Sequence, residues 1–192
     1  MRLLLIDYYD SFTYNIADYL RRCGAEVDVC EANSVDSPAF AAYDGLVFSP
    51  GPGNPVHMPD LRRLMSDAIG FRPVLGICLG FQAMGLHFGG HLRRGHPCHG
   101  KQSVVCRIPG TPSWLLQDIP DCFTVVRYHS LVIGGPLSGA HVTLSAGEGE
   151  PMALEHPDLP VAGVQYHPEA WLSAYGLPLF HNWLRKAREN RG

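Results

Sequence analysis

The sequence predicts one α/β domain over residues 1–192, a three-layer sandwich with a mostly parallel central sheet and an antiparallel extension. Three observations carry this expectation. Strand-like and helix-like segments alternate through roughly the first ninety residues, the pattern of a parallel sheet covered on both faces. From Leu92 onward the texture changes to short strand-like runs separated by Gly and Pro turns. A chain of 192 residues, 46% hydrophobic and 17% charged, has enough apolar surface for one sizeable core and too little length for two ordinary domains.

Taken in order, Arg2-Leu3-Leu4-Leu5-Ile6-Asp7 is an apolar run of strand length ended by an acidic, polar turn. Phe12, Ile16, Tyr19, Leu20 and Cys23 follow at helical spacing, with Gly24 just beyond as a stop. Residues 26–30 and 44–49 read as two further strands. Leu61, Leu64, Met65, Ala68 and Ile69 lie three or four apart and predict an amphipathic helix after Pro59. Residues 73–77 are again an apolar strand, and residues 79–88 have helical spacing that ends at Gly89-Gly90. The strands of the extension are expected over 104–108, 123–127, 141–146, 152–155 and 161–166. Leu177, Phe180, Trp183, Leu184 and Ala187 mark a final helix, and Arg185, Lys186 and Arg188 suit the negative end of its dipole.

Charge and composition remove several classes of function. With a formal net charge of -3 and scattered basic residues, the chain offers no positive field for nucleic acid or for an anionic membrane surface. No stretch approaches the roughly 20 apolar residues that cross a bilayer, and the N-terminal run lacks a small-residue cleavage site, so a cytoplasmic protein is expected. The six cysteines show no close pairing and fit a reducing compartment, those other than Cys78 reading as small buried residues. His96, Cys98 and His99 cluster in sequence but match no paired zinc spacing, so neither a metal nor a cofactor is expected.

Gly76-Ile77-Cys78-Leu79-Gly80 sits where an apolar strand meets a helix, with a nucleophile between two glycines. A tight strand-to-helix turn strains its central residue and brings neighbouring chains close, which small flanking residues relieve. At a helix start the thiol also feels the positive end of the dipole, which favours the attacking thiolate. An isolated cysteine is most often a plain core residue, and the glycine-flanked junction is what sets Cys78 apart. Gln165-Tyr166-His167-Pro168-Glu169 follows a strand and supplies the rest of a proton relay. His167 and Glu169 are two apart, so they emerge on one side, and Pro168 stiffens the link. Of the ten histidines most read as structural or surface residues.

Ser49-Pro50-Gly51-Pro52-Gly53-Asn54-Pro55 is a rigid loop with bare backbone amides of the kind that stabilise an oxyanion, although alone it reads as an ordinary turn. In their order and separation the three motifs resemble class I glutamine amidotransferases over essentially the whole chain. Asp10-Ser11-Phe12-Thr13-Tyr14-Asn15, His99-Gly100-Lys101 and Arg127-Tyr128-His129-Ser130-Leu131 narrow the likeness to the small subunits of anthranilate synthase and aminodeoxychorismate synthase. The resemblance implies a flavodoxin-like fold, Cys78 as nucleophile, His167 as base and then acid, and Glu169 as its orienter. It implies an oxyanion hole from the amides of Gly51 and Leu79, and a glutamine site from Gly53, Gln82 and the backbone of Ser130 and Leu131. The implied partner is the large subunit of a chorismate-using synthase, joined in a hetero-oligomer that receives ammonia.

Four departures mark this chain. Phe81 stands where the family has His, Tyr8 where it has Asn and Ala170 where it has Ser, and residues 56–60 lack a Glu-Ala-Gly. The residue that Phe81 replaces is not one of the triad, and Phe81 bears on the packing behind the nucleophile. Two other readings remain at this stage: a catalytically silent regulatory subunit on the same fold, and a free-standing glutamyl hydrolase.

Overall fold

In chain order the elements are β1 (Arg2–Asp7), α1 (Thr13–Arg22), β2 (Glu26–Glu31), β3 (Gly45–Phe48), α2 (Pro59–Ala68), β4 (Val74–Ile77), α3 (Leu79–His87), β5 (His91–Arg94), β6 (Lys101–Arg107), β7 (Cys122–Arg127), β8 (Leu131–Gly134), β9 (His141–Ala146), β10 (Glu150–Glu155), β11 (Val161–Val164) and α4 (Gly176–Glu189). They come from a computed structural model that describes residues 1–98, 100–147 and 149–190. One sheet of nine strands runs in the order β2-β1-β3-β4-β11-β10-β9-β6-β7. From β2 to β11 neighbouring strands are parallel, and from β11 to β7 they are antiparallel. The α/β sandwich with an antiparallel extension is therefore the observed architecture.

Alternation along the parallel strands divides the core in two. Leu3, Leu5, Val47, Leu75 and Ile77 pack with Ile16 and Leu20 of α1 and Phe180 and Trp183 of α4. Leu4, Ile6, Leu46, Phe48 and Val74 point the other way, onto Leu61 and Leu64 of α2 and Met84 of α3. Each fully buried side chain of this kind contributes about 1.5–3 kcal/mol. Unlike the other helices, α3 is buried from Leu79 to Gly85 on every side, wedged between the sheet, α2 and Ile133.

The structure departs from expectation in three places. A separate two-stranded sheet, β5 with β8, was not foreseen, and β6 begins at Lys101 rather than at residue 104. Short 3-10 turns occupy Ala32–Ser34, Ser37–Ala42 and Pro55–His57. The cysteine reading needs correction as well. Cys106 and Cys122 face each other across the β6–β7 ladder and are joined by a disulfide, brought together by register rather than by spacing. Cys23, Cys30 and Cys98 are only partly buried. Among the described residues no helix is long and apolar enough to cross a membrane.

Candidate active site

Every strand of the parallel half except β2 delivers a loop to one place. At the end of β4 the chain turns through Cys78, whose φ of 51° and ψ of -95° lie outside the regions an L-residue ordinarily adopts. The turn is pinned on both sides: the Cys78 amide donates to the Val164 carbonyl at 2.8 Å, and the Cys78 carbonyl accepts from the Gln82 amide at 3.0 Å. The flanking glycines are steric necessities. A Cβ on Gly80 would lie 2.5 Å from the Phe48 carbonyl oxygen, and one on Gly76 would lie 2.7 Å from the Gly80 backbone. The thiol sits 7% exposed at the mouth of the turn.

Beside it lies the loop that leaves β3. Ser49 is buried and ties this loop to the end of β1, its Oγ accepting from the Tyr8 amide at 2.9 Å and donating to the Pro50 carbonyl at 2.6 Å. A Cβ on Gly51 would meet the Tyr8 carbonyl oxygen at 2.6 Å and the Leu79 side chain at 2.9 Å. Gly51 is thus pressed against the first residue of α3, and the Leu79 amide has no carbonyl one turn back to bond.

From the end of β11 come His167 and Glu169, each 2% exposed. His167 Nδ1 lies 2.7 Å from Glu169 Oε1. The main chain at His167 is fixed by its amide, which donates to the Val126 carbonyl at 3.0 Å, and by its carbonyl, which accepts from Ser173 Oγ at 2.5 Å. The remaining ring nitrogen, Nε2, is sealed from water and has no fully formed hydrogen bond. Its neighbour is the Cys78 sulfur, close enough to act on the ring's protonation though looser than a formed bond, as is common for such a pair without substrate. Burial is the largest single influence on the ring and opposes its charge. The sulfur and the carboxylate together outweigh it and push the pKa up to about 10. Phe12 and Tyr128 wall the ring, with centroids 5.2 Å and 5.3 Å away.

A cavity of about 190 Å³ opens on Cys78, lined by Gly51, Gly53, Gln82, Ser130 and Leu131 together with Pro52, Tyr128 and His129. All nine residues singled out in the sequence therefore fall in one neighbourhood, and none lies apart. A second set was not foreseen. Gln165 donates from Nε2 to the Cys78 sulfur at 3.7 Å and accepts from Gln82 Nε2 at 3.2 Å, while the same Gln82 nitrogen lies 3.2 Å from the Leu131 carbonyl. That carbonyl also accepts from His129 Nδ1 at 3.0 Å, because Arg127 Nε donates to the opposite ring nitrogen at 3.1 Å and fixes the tautomer. Arg127 is in turn paired with Glu150. Burial, then the neighbouring guanidinium, push His129 down to about 4, so its ring is neutral at ordinary pH. Gln165, Arg127 and His129 stood inside sequence motifs, although no role was assigned to them. Glu150 stood in none, since only the β10 and β7 strand positions bring it to Arg127.

Phe81, the residue that departs from the family behind the nucleophile, is fully buried in the apolar cluster of α2 and α3. Its ring brings no polar atom of its own into that cluster. Among the described residues no group of three or more His, Cys, Asp or Glu side chains could hold a metal, and His99 lies outside them.

The sequence profile of the glutamine amidotransferase class-I family matches residues 4–187. The chain belongs to that family. Among curated relatives, an anthranilate synthase component 2 from Azospirillum brasilense is 40% identical over 195 residues, covering 97% of this chain and 96% of the relative. An aminodeoxychorismate/anthranilate synthase component 2 from Bacillus subtilis is 34% identical over 192 residues, covering 97% of each. A solved glutamine amidotransferase from Thermotoga maritima superposes with a TM-score of 0.81 over 99% of each chain at 17% identity, a likeness of fold.

Proposed function

We propose that this chain is the glutaminase subunit of a chorismate-using synthase, hydrolysing glutamine at Cys78. The observation that carries the reading is the buried His167–Glu169 pair at 2.7 Å set against the Cys78 sulfur. Glutamine enters the small cavity with its side-chain amide over the sulfur, held by Gly53, Gln82 and the backbone of Ser130 and Leu131. The thiol proton passes to His167, and the sulfur adds to the amide carbon. Negative charge moves to the carbonyl oxygen, toward the amides of Gly51 and Leu79. Collapse of this adduct breaks the C–N bond, with His167 returning its proton to the leaving nitrogen, so ammonia departs and a glutamyl thioester remains. Water then attacks with His167 as base, releasing glutamate and restoring the thiol. Glu169 keeps the ring oriented and supports its positive charge throughout.

Ammonia is lost as ammonium in open water, so the reading includes a large synthase subunit seated over the site mouth. Trp171 and Leu172, two and three residues beyond Glu169, are 92% and 57% exposed and offer such a partner apolar surface. A Bacillus subtilis relative whose name carries both the aminodeoxychorismate and the anthranilate product is why the acceptor is set no more finely than a chorismate-derived ring. The setting proposed is the cytoplasm, where the Cys106–Cys122 bond would stand reduced and the ladder between β6 and β7 would hold the hairpin. The test is to co-purify the synthase, supply chorismate and glutamine, and identify the aminated product. Glutamate release that survives in Cys78→Ala would overturn the reading.

A further inference from the structure

In the sheet order β2-β1-β3-β4 the chain leaves β1 to one side and then crosses back to the other. The crevice outside the carboxyl ends of β1 and β3 is therefore the topological switch point, the place where open α/β sheets bind ligands. The site described above is centred further along, on Cys78 and His167 at the ends of β4 and β11. The switch point itself holds a separate cavity of about 510 Å³, lined among others by Tyr8, Val35, Met58, Leu61, Arg63 and Leu64. We propose that this crevice binds a small carboxylate with an apolar ring body, and that its occupant bears on the loop carrying Gly51 and Gly53.

Three features define the ligand's chemistry. First, the ten-residue helix α2 starts in the cavity wall at Pro59 with no side chain capping it, so its leading amides and dipole are open to an anion. Arg63 follows on the next turn, half-exposed. It touches Ser37 and Asp67 at 3.2 Å and 3.5 Å and keeps further donors free of a short bond. Asp60 opposes an anion, but its side chain is 90% exposed, turned toward water, and lies 3.9 Å from Arg63. Second, Tyr8 is 5% exposed, and its hydroxyl has no hydrogen-bond partner. Burial holds the phenol protonated, and Tyr8 lines the same cavity as Asp60 and Arg63, whose charges act on it. An acceptor oxygen arriving there supplies the bond that the hydroxyl lacks. Third, Val35, Met58, Leu61 and Leu64 offer apolar walls to a ring.

The link to the loop is direct contact. Tyr8 is the residue against which Gly51 packs, its amide bonds Ser49 Oγ at 2.9 Å, and a Cβ on Gly53 would lie 3.5 Å from the Met58 sulfur. Tyr8 and residues 57–60, from two of the places where this chain departs from its family, line this one cavity. The effect on catalysis rests on the function proposed above, whereas binding does not.

Benzoate is the probe, with benzamide as its neutral isostere, titrated into the intact chain labelled for methyl and amide NMR. The expected result is saturable shifts of the Met58 and Leu64 methyls with benzoate, accompanied by the Gly51 and Gly53 amides. Binding should weaken about tenfold for benzamide and by a similar factor in Arg63→Gln, the loss of one charge-assisted contact. Absence of saturation, equal binding of benzamide, or unchanged affinity in Arg63→Gln would each overturn the proposal. A glutaminase assay on the same sample separates the two readings. Benzoate bound without turnover leaves this inference standing and removes the function, and turnover without benzoate shifts does the reverse.

Discussion

Each half of the sheet contributes a buried histidine to the site, and the two respond oppositely to the same lack of water. His167, at the end of parallel β11, is pushed up to about 10 because a carboxylate and a sulfur face it. His129, just beyond antiparallel β7, is pushed down to about 4 by burial first and then by the Arg127 guanidinium, which the hydrogen bond to Leu131 and the charge of Glu150 offset only in part. Burial lowers both, and the partners decide whether it prevails. The parallel half thus holds a group that takes and keeps a proton. The antiparallel half holds a neutral strut that fixes the Leu131 carbonyl on the cavity wall.

The contrast breaks most sharply at the nucleophile. Cys78→Ala should lower glutamate release by roughly 10⁴-fold or more while leaving the melting curve near that of the parent. Glu169→Gln comes next. It should cost about 10²–10⁴ in kcat and drop the His167 pKa well below 10, both read from a pH–rate profile and ring NMR titration. Arg127→Gln attacks the other half, leaving the partly buried Glu150 without its cation. A loss of about 3–5 kcal/mol in denaturant unfolding is expected, with glutamine KM rising more than kcat falls.

The two histidines also pull stability in opposite directions with pH. His129 contributes stability that is complete above its unfolded value of 6.5 and is lost as pH falls through about 4. His167 contributes stability that is complete below 6.5 and is lost as pH rises through about 10. In thermal melts across pH, His129→Gln should flatten the acid limb alone. The smallest effect expected is Tyr8→Phe, which removes a buried hydroxyl without a partner and should raise stability by up to about 1 kcal/mol in the same melts.

The parallel half was legible in the sequence because its signals are local. An apolar run, a glycine-flanked cysteine and a helical spacing declare strand, turn and helix within a few residues of each other, and the steric reason for Gly76 and Gly80 is the one their spacing implied. The antiparallel half was less so. His91-Leu92-Arg93-Arg94 has one apolar residue in a four-residue strand, and its pairing with Leu131–Gly134 gives it a partner that periodicity cannot detect. Lys101, Gln102 and Ser103 are likewise too polar to announce a strand, and β6 extends over them only because β7 runs alongside. The relay from Glu150 through Arg127 and His129 to Gln82 was invisible for the same reason. It joins three stretches of chain whose proximity exists only after the sheet has formed.

The exposure of Trp171 also makes the molecule its own optical sensor. Trp183 is completely buried and Trp114 partly so, which leaves the indole two positions beyond Glu169 in water as the red-shifted, quencher-accessible component of the emission. Whatever settles over the site mouth must blue-shift that component and shield it from iodide, without any label being attached.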